Sequence, residues 1–231
     1  MLVKDWMSTK VISLDVSDTL QHAINLSTEH GISIMPVLED GKLAGVVTDR
    51  DLKRASPSPA AAMDIQQILY HLSRLEVGAI MTRHPVTIPA DFTIEEAAEV
   101  LLGNKISGAP VVDEKGDIQG IITKNDLFKA LIALSGLSKR GVQFGLLLED
   151  RPGSIKEISD IFRKYNARLV SILTSYHKAP EGHRHVYIRA FNIDRDALQQ
   201  LKEDVRKALK DKTRLIYSVD HRENRREFYP E

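Results

Sequence analysis

The 231-residue chain has no cysteine. This excludes a disulfide framework, a thiolate metal site and a cysteine nucleophile, and it agrees with a reducing compartment. Net charge is missing too. Lys+Arg and Asp+Glu both number 32, so the formal charge is zero and no global attraction to nucleic acid or an anionic membrane follows. No apolar run approaches the ~18 residues of a membrane span. The opening stretch, MLVKDWMSTK, lacks the apolar core of a signal peptide. G-x-S-x-G, H-E-x-x-H and Walker signatures are absent as well. The expectation is a cytoplasmic protein, not an enzyme, with no catalytic cofactor and no metal, and with neither nucleic acid nor membrane as partner. What is present is ordinary: 42% hydrophobic and 28% charged residues suit a soluble globular chain of one to three domains.

Within it lies a repeat. Aligning Val3 with Val77 brings Met7 to Met81, Thr19 to Thr93, Ala23 to Ala97, Ser33 to Ser107 and Pro36 to Pro110. One extra residue in the second turn then shifts the frame, and GVVTDRDL (45–52) meets GIITKNDL (120–127). Each repeat reads as a short extended piece, a helix, a hairpin of two strands and a second helix starting at Thr-x-x-Asp. Leu20, Ala23 and Ile24, and Ile94, Ala97 and Leu101, carry the helical spacing. Neither unit is large enough to bury its own faces, so the two should pack together. Between them, Pro57 and Pro59 stop the first repeat. Ile65, Ile68, Leu69, Leu72 and Leu75 then mark an amphipathic connecting helix.

Thr48-x-x-Asp51 and Thr123-x-x-Asp126 have the spacing of a helix capping box, which needs no ligand. They also occur at equivalent places, after Gly-led β-branched strands and beyond an apolar-x-Pro-Val strand. Together these residues resemble a CBS-domain pair, also called a Bateman module. The resemblance implies a pseudo-two-fold pair of βαββα repeats whose clefts bind AMP, ADP, ATP or S-adenosylmethionine as a regulatory ligand. Under it, Asp51 and Asp126 are the ribose candidates, because a carboxylate accepts both hydroxyl protons. Thr48, Thr123 and the amides at the helix starts suit a phosphate, with Arg50 and Lys124 to neutralise it and Lys10, Arg83 and His84 as weaker candidates. Ile34, Met35 and Pro36, and Gly108, Ala109 and Pro110, would line the adenine slots. Met35 against Ala109 would make the slots unequal.

After Gly141 the pattern changes to strand, helix, two strands, helix, strand. This βαββαβ order is a ferredoxin-like layout. With the loop Asp150-Arg151-Pro152-Gly153-Ser154-Ile155, in which Ser154 can cap the following helix, it resembles an ACT domain. That family implies sheet-to-sheet pairing of subunits and an amino-acid site near this loop. Leu148 departs from the amino-acid-binding pattern, being apolar where some members place a polar contact. The whole order resembles the acetoin-utilisation protein B group.

The expected fold is thus α+β / α/β: repeat 1 at 1–56, a linker with a helix at 57–76, repeat 2 at 77–137, an ACT domain at 138–222 and a solvated tail at 223–231. The expected function is regulatory: a homodimer or higher oligomer sensing an adenine nucleotide and acting on a client protein. A dimerisation scaffold with vacant clefts and an enzyme of unrecognised chemistry are the alternatives. LFKALIAL (127–134), apolar but for Lys129, is the expected subunit contact, since a helix apolar nearly all round needs cover on more than one side.

Overall fold

The computed structural model describes residues 1–56, 65–209 and 212–230. Pro57 and Pro59, expected to break the chain, lie outside them. The chain divides into two compact units, Met1–Ala130 and Leu131–Glu231. The division falls inside a helix, seven residues before the boundary expected from the sequence.

The first unit holds β1 (Leu14–Asp15), α1 (Leu20–His30), β2 (Ile34–Glu39), β3 (Lys42–Thr48) and α2 (Asp49–Ala55), then α3 (Ile65–Arg74). The second repeat follows as β4 (Thr82–Arg83), β5 (Ile88–Pro89), α4 (Ile94–Gly103), β6 (Gly108–Val112), β7 (Ile118–Thr123) and α5 (Lys124–Leu134). Local chemistry sets the helix starts. Thr19 accepts a hydrogen bond from the His22 amide at α1, and Thr93 with Glu96 closes a full capping box at α4. Helical spacing then buries Leu20 and Ala23 in one repeat and Ile94, Ala97 and Leu101 in the other.

The sheets run β1-β2-β3-β4 and β5-β6-β7. β4, from the second repeat, pairs with β3 of the first, Thr82 opposite Val46. Reciprocally, Ser8 bridges Ile121. The Val77 amide donates to Asp18 O and the Val3 amide to Phe92 O, both at 2.8 Å. Each repeat's opening segment therefore belongs to the other repeat's core: Val3, Trp6 and Met7 pack with Ile88, Leu101 and Ile122, and Val77, Ile80 and Met81 with Leu14, Leu20 and Val47. The spans 1–56 and 77–137 describe the sequence repeat, not the packed halves.

This exchange explains the glycine that opens both repeated motifs. A Cβ on Gly45 would meet Met81 Sδ at 2.6 Å and Thr82 O at 2.8 Å, and a Cβ on Gly120 would meet Met7 Sδ at 2.6 Å and Ser8 O at 2.8 Å. The crossing segments pass too close for any side chain there.

The second unit contains β8 (Val142–Glu149), α6 (Ser154–Lys164), β9 (Arg168–Ser175), β10 (His183–Phe191), α7 (Arg195–Ala208), β11 (Arg214–Asp220) and β12 (Arg225–Phe228). They form an antiparallel sheet of order β12-β11-β8-β10-β9. Phe144, Leu146 and Leu148, alternate residues of β8, share a core with Ile158 and Phe162 of α6 and Leu201 and Val205 of α7. Two expectations are corrected here. Ser154 is the first helical residue, not the cap; Gly153, at φ 90°, holds the cap position. The expected solvated tail is a strand: β12 pairs with β11, and Tyr229 packs on the core. A hydrogen bond from Lys202 Nζ to Glu227 at 2.8 Å and one from Tyr229 OH at 2.8 Å hold it there. Among the described residues no helix is long and apolar enough to cross a membrane, and no cluster of His, Asp or Glu is arranged to hold a metal ion.

Candidate functional site

The reciprocal strand exchange leaves two clefts, each lined by both repeats. The larger, about 410 Å³, takes Thr48, Arg50, Asp51 and Arg54 from the first repeat and His84, Lys105, Gly108, Pro110 and Lys124 from the second, with Ile34 on its wall. The smaller, about 190 Å³, is its repeat counterpart, with Thr123, Asn125, Asp126 and Lys129 facing Lys10, Gly31 and Ser33. Small-molecule sites typically run ~300–1,000 Å³, and the larger falls within that range.

The two Asp residues are prepared differently. In the larger cleft Asp51 Oδ2 accepts the Thr48 amide at 2.9 Å and the Thr48 hydroxyl at 2.6 Å, and the Asp51 amide donates back to Thr48 Oγ1 at 3.3 Å. The capping box is complete and uses one carboxylate oxygen. Oδ1 makes no hydrogen bond among the described residues. In the smaller cleft Asp126 Oδ2 is held the same way by Thr123, at 3.0 and 2.6 Å. There Oδ1 accepts from Lys129 Nζ at 3.0 Å as well. Lys129 is the repeat counterpart of Arg54, which makes no such bond to Asp51. Asp126 is buried, at 8% exposure, so its carboxylate is spent on partners within the chain.

At α2 two of the first three backbone amides are consumed within the chain, those of Asp49 and Asp51, and at α5 the first is. Asp49 N donates to Ser33 O at 3.0 Å and Lys124 N to Ser107 O at 2.9 Å. α2 is also only seven residues long. A phosphate in the larger cleft would therefore be met by side chains. Four basic ones line it, Arg50, Arg54, Lys105 and Lys124, and none makes an ion pair among the described residues.

Of the residues expected to line the slots, Met35, Pro36 and Ala109 line neither cleft. Met35 and Ala109 lie in the cores of their repeats, so their difference in size does not shape the clefts. The asymmetry lies in charge and volume instead. Arg54 and Lys105 were not expected. The signal for both was available in the repeat alignment, which sets them against Lys129 and Gly31.

A family model described as the CBS domain matches residues 3–58 and 77–133. A CBS domain-containing protein of Dictyostelium discoideum is 36% identical over 132 residues, covering 57% of this chain and 91% of that protein. The chain belongs to the CBS-domain proteins. The crystal structure of a Vibrio cholerae protein assigned to acetoin utilization, AcuB, is 26% identical with a TM-score of 0.50, covering 60% of this chain and 96% of that one. An inosine-5'-monophosphate dehydrogenase of Korarchaeum cryptofilum is 34% identical over 118 residues, a match to 51% of this chain and 22% of the enzyme. The strand exchange, the paired clefts, the capping box at Thr48–Asp51 and the Thr123–Asp126 pair all lie within the matched residues.

Beyond the CBS pair, the loop 150–155 borders a third cavity of about 480 Å³, lined by Leu148, Glu149, Arg151, Ser154, Glu157, His183 and Lys212 among others. Of the six loop residues expected at an amino-acid site, Arg151 and Ser154 line it; Asp150, Pro152, Gly153 and Ile155 do not. Arg151 is already engaged. It donates to Glu157 at 2.7 and 2.8 Å and to Glu149 at 2.9 Å. The hydrogen bonds to Glu157 and then Glu149 push the guanidinium pKa up. A ligand carboxylate would have to displace a carboxylate already in a bidentate pair.

Proposed function

We propose that the protein is a regulatory one whose CBS pair senses an adenine nucleotide in the larger cleft. The observation that carries this is Asp51 Oδ1. It is an unused acceptor on a carboxylate fixed by its own capping box, inside a cleft with space and basic side chains. In this reading Asp51 accepts the ribose hydroxyls, Ile34, Gly108 and Pro110 flank the adenine, and the basic residues meet phosphate. The ligand is one of AMP, ADP, ATP or S-adenosylmethionine, and in this reading it is sensed, not converted: the Thr48 hydroxyl and Asp51 Oδ2 are committed to each other in the cap at 2.6 Å.

The βαββαβ run with its D-R-P-G-S loop supports reading the second unit as a ferredoxin-like ACT domain, extended by β12, that pairs subunits and senses an amino acid if the Arg151 cluster opens. The exposed apolar residues of α5, Phe128, Leu131, Ile132 and Leu134, support a homodimer; the reading places it in the cytoplasm with a client protein as partner. A scaffold whose clefts take no ligand is favoured by one feature, a Thr48–Asp51 cap whose bonds are all made within the chain. Calorimetry with the four ligands separates the two. Micromolar binding of one of them supports sensing, and no binding below millimolar concentration leaves the scaffold.

A further inference from the structure

The repeat relates every residue of one cleft to a counterpart in the other, and one pair differs in an informative way. Gly31 follows α1 at φ 61°, and its counterpart Lys105 follows α4 at φ 55°. The surrounding turns share their closing bond. Ile32 N donates to Ser27 O at 3.1 Å, and Ile106 N to Leu101 O at 3.0 Å. A left-handed residue after a helix is a glycine position, because a Cβ there crowds the carbonyl oxygen. The first repeat has the glycine. The second accepts the crowding and carries a lysine.

Nothing in the packing explains that lysine. It is exposed and makes no side-chain hydrogen bond or ion pair among the described residues. Its side chain does line the larger cleft. His84, at φ 48°, is a second non-glycine residue in the left-handed region on the same cleft. Arg140 and Lys178 hold the same conformation away from the cleft, so what singles out Lys105 is the left-handed position together with its place on the lining, where a site can use the side chain that strain presents.

Counting charge extends the reading. Arg50 and Arg54 come from α2, and Lys105 and Lys124 from the second repeat, so the basic groups approach the cleft from two sides. Of the two acidic residues on the same lining, Asp49 pairs with Lys53 at 3.6 Å and Asp51 is the cap. One phosphate engages one or two such cations and leaves the others repelling one another. A chain of phosphates meets both sets.

We infer that Lys105 is a specificity residue that makes this cleft prefer nucleoside di- and triphosphates to the monophosphate. The inference rests on the adenine-nucleotide reading above.

Lys105→Gly tests it, because strain and charge then move in opposite directions. The variant should melt at the same or a higher temperature than the wild type, since glycine suits the backbone. ADP and ATP should bind about tenfold more weakly or worse, the usual loss for a hydrogen bond to a charged group. Adenosine and AMP should change by less than about twofold, because the ribose and base contacts are untouched. Lys105→Ala should show the same selective loss without the gain in melting temperature. Unchanged ATP binding in both variants overturns the assignment, as does an equal loss of adenosine, AMP and ATP, which would mark a structural role. A wild type that binds adenosine and AMP as tightly as ATP refutes the phosphate preference and leaves the nucleotide cleft standing. A wild type that binds none of them refutes both.

Discussion

At the scale of single residues, the repeated motif is a solution to close approach as much as a binding signature. Gly45 and Gly120 exist because a methionine and a backbone carbonyl from the other repeat lie where a Cβ would go. Gly45→Ala and Gly120→Ala should each destabilise the protein by about 1–3 kcal/mol, the usual cost of overpacking, in urea unfolding followed by circular dichroism. Unchanged midpoints would mean that the exchanged segments do not pack as described. The existence of these glycines was plain in the sequence and their reason was not, since Met81 is 36 positions from Gly45. Thr48 and Asp51 were legible as a cap from spacing alone. Which oxygen the cap uses, and that Lys129 takes the spare one in the other repeat, are facts of geometry.

At the scale of elements, periodicity carried the reading well wherever a segment was long enough to show it. The β2–β3 and β6–β7 hairpins and α1, α4, α6 and α7 all show a period over several residues. It failed on β4, two residues long, where no alternation can appear, and so the strand exchange stayed hidden. It failed also on β12, whose RREF is polar because an edge strand beside solvent has little to bury. What fixes β12 is the pair between Lys202 and Glu227, 7% and 23% exposed in their side chains. The hydrogen bond from Lys202 is the largest cause of a Glu227 pKa below its ordinary 4.5. A carboxylate depressed on folding adds stability that is fully present above 4.5 and is lost as pH falls through the lower folded value. Glu227→Gln should therefore be less stable than wild type at pH 7, and the gap should close as the solution is acidified through that range. Urea midpoints collected against pH check it, and a gap independent of pH would show that the Glu227 charge does not hold the strand.

At the scale of the whole molecule, the CBS pair and its repeat were legible from the first residues compared, because a duplicated motif at matched positions is a long-range signal that a single sequence can carry. That each Thr-x-x-Asp shares a cleft with residues of the opposite repeat was not, because it depends on how two βαββα units face each other. The helix α5 poses the remaining question of assembly. Leu131 and Phe128 are 57% and 60% exposed, an apolar surface that a second chain would cover. The protein should scatter light as a dimer at micromolar concentration, and Leu131→Glu should shift it toward monomer; a variant that stays dimeric would place the contact elsewhere. The central claim is that one cleft, not two, is built for a nucleotide. Isothermal titration of the wild type, Asp51→Ala and Asp126→Ala with ATP, each first shown to be folded, tests it most directly. One site per chain, a loss of about ten- to a hundredfold in affinity for Asp51→Ala and near-normal affinity for Asp126→Ala are the expected results. Two equivalent sites, or a loss confined to Asp126→Ala, would contradict it.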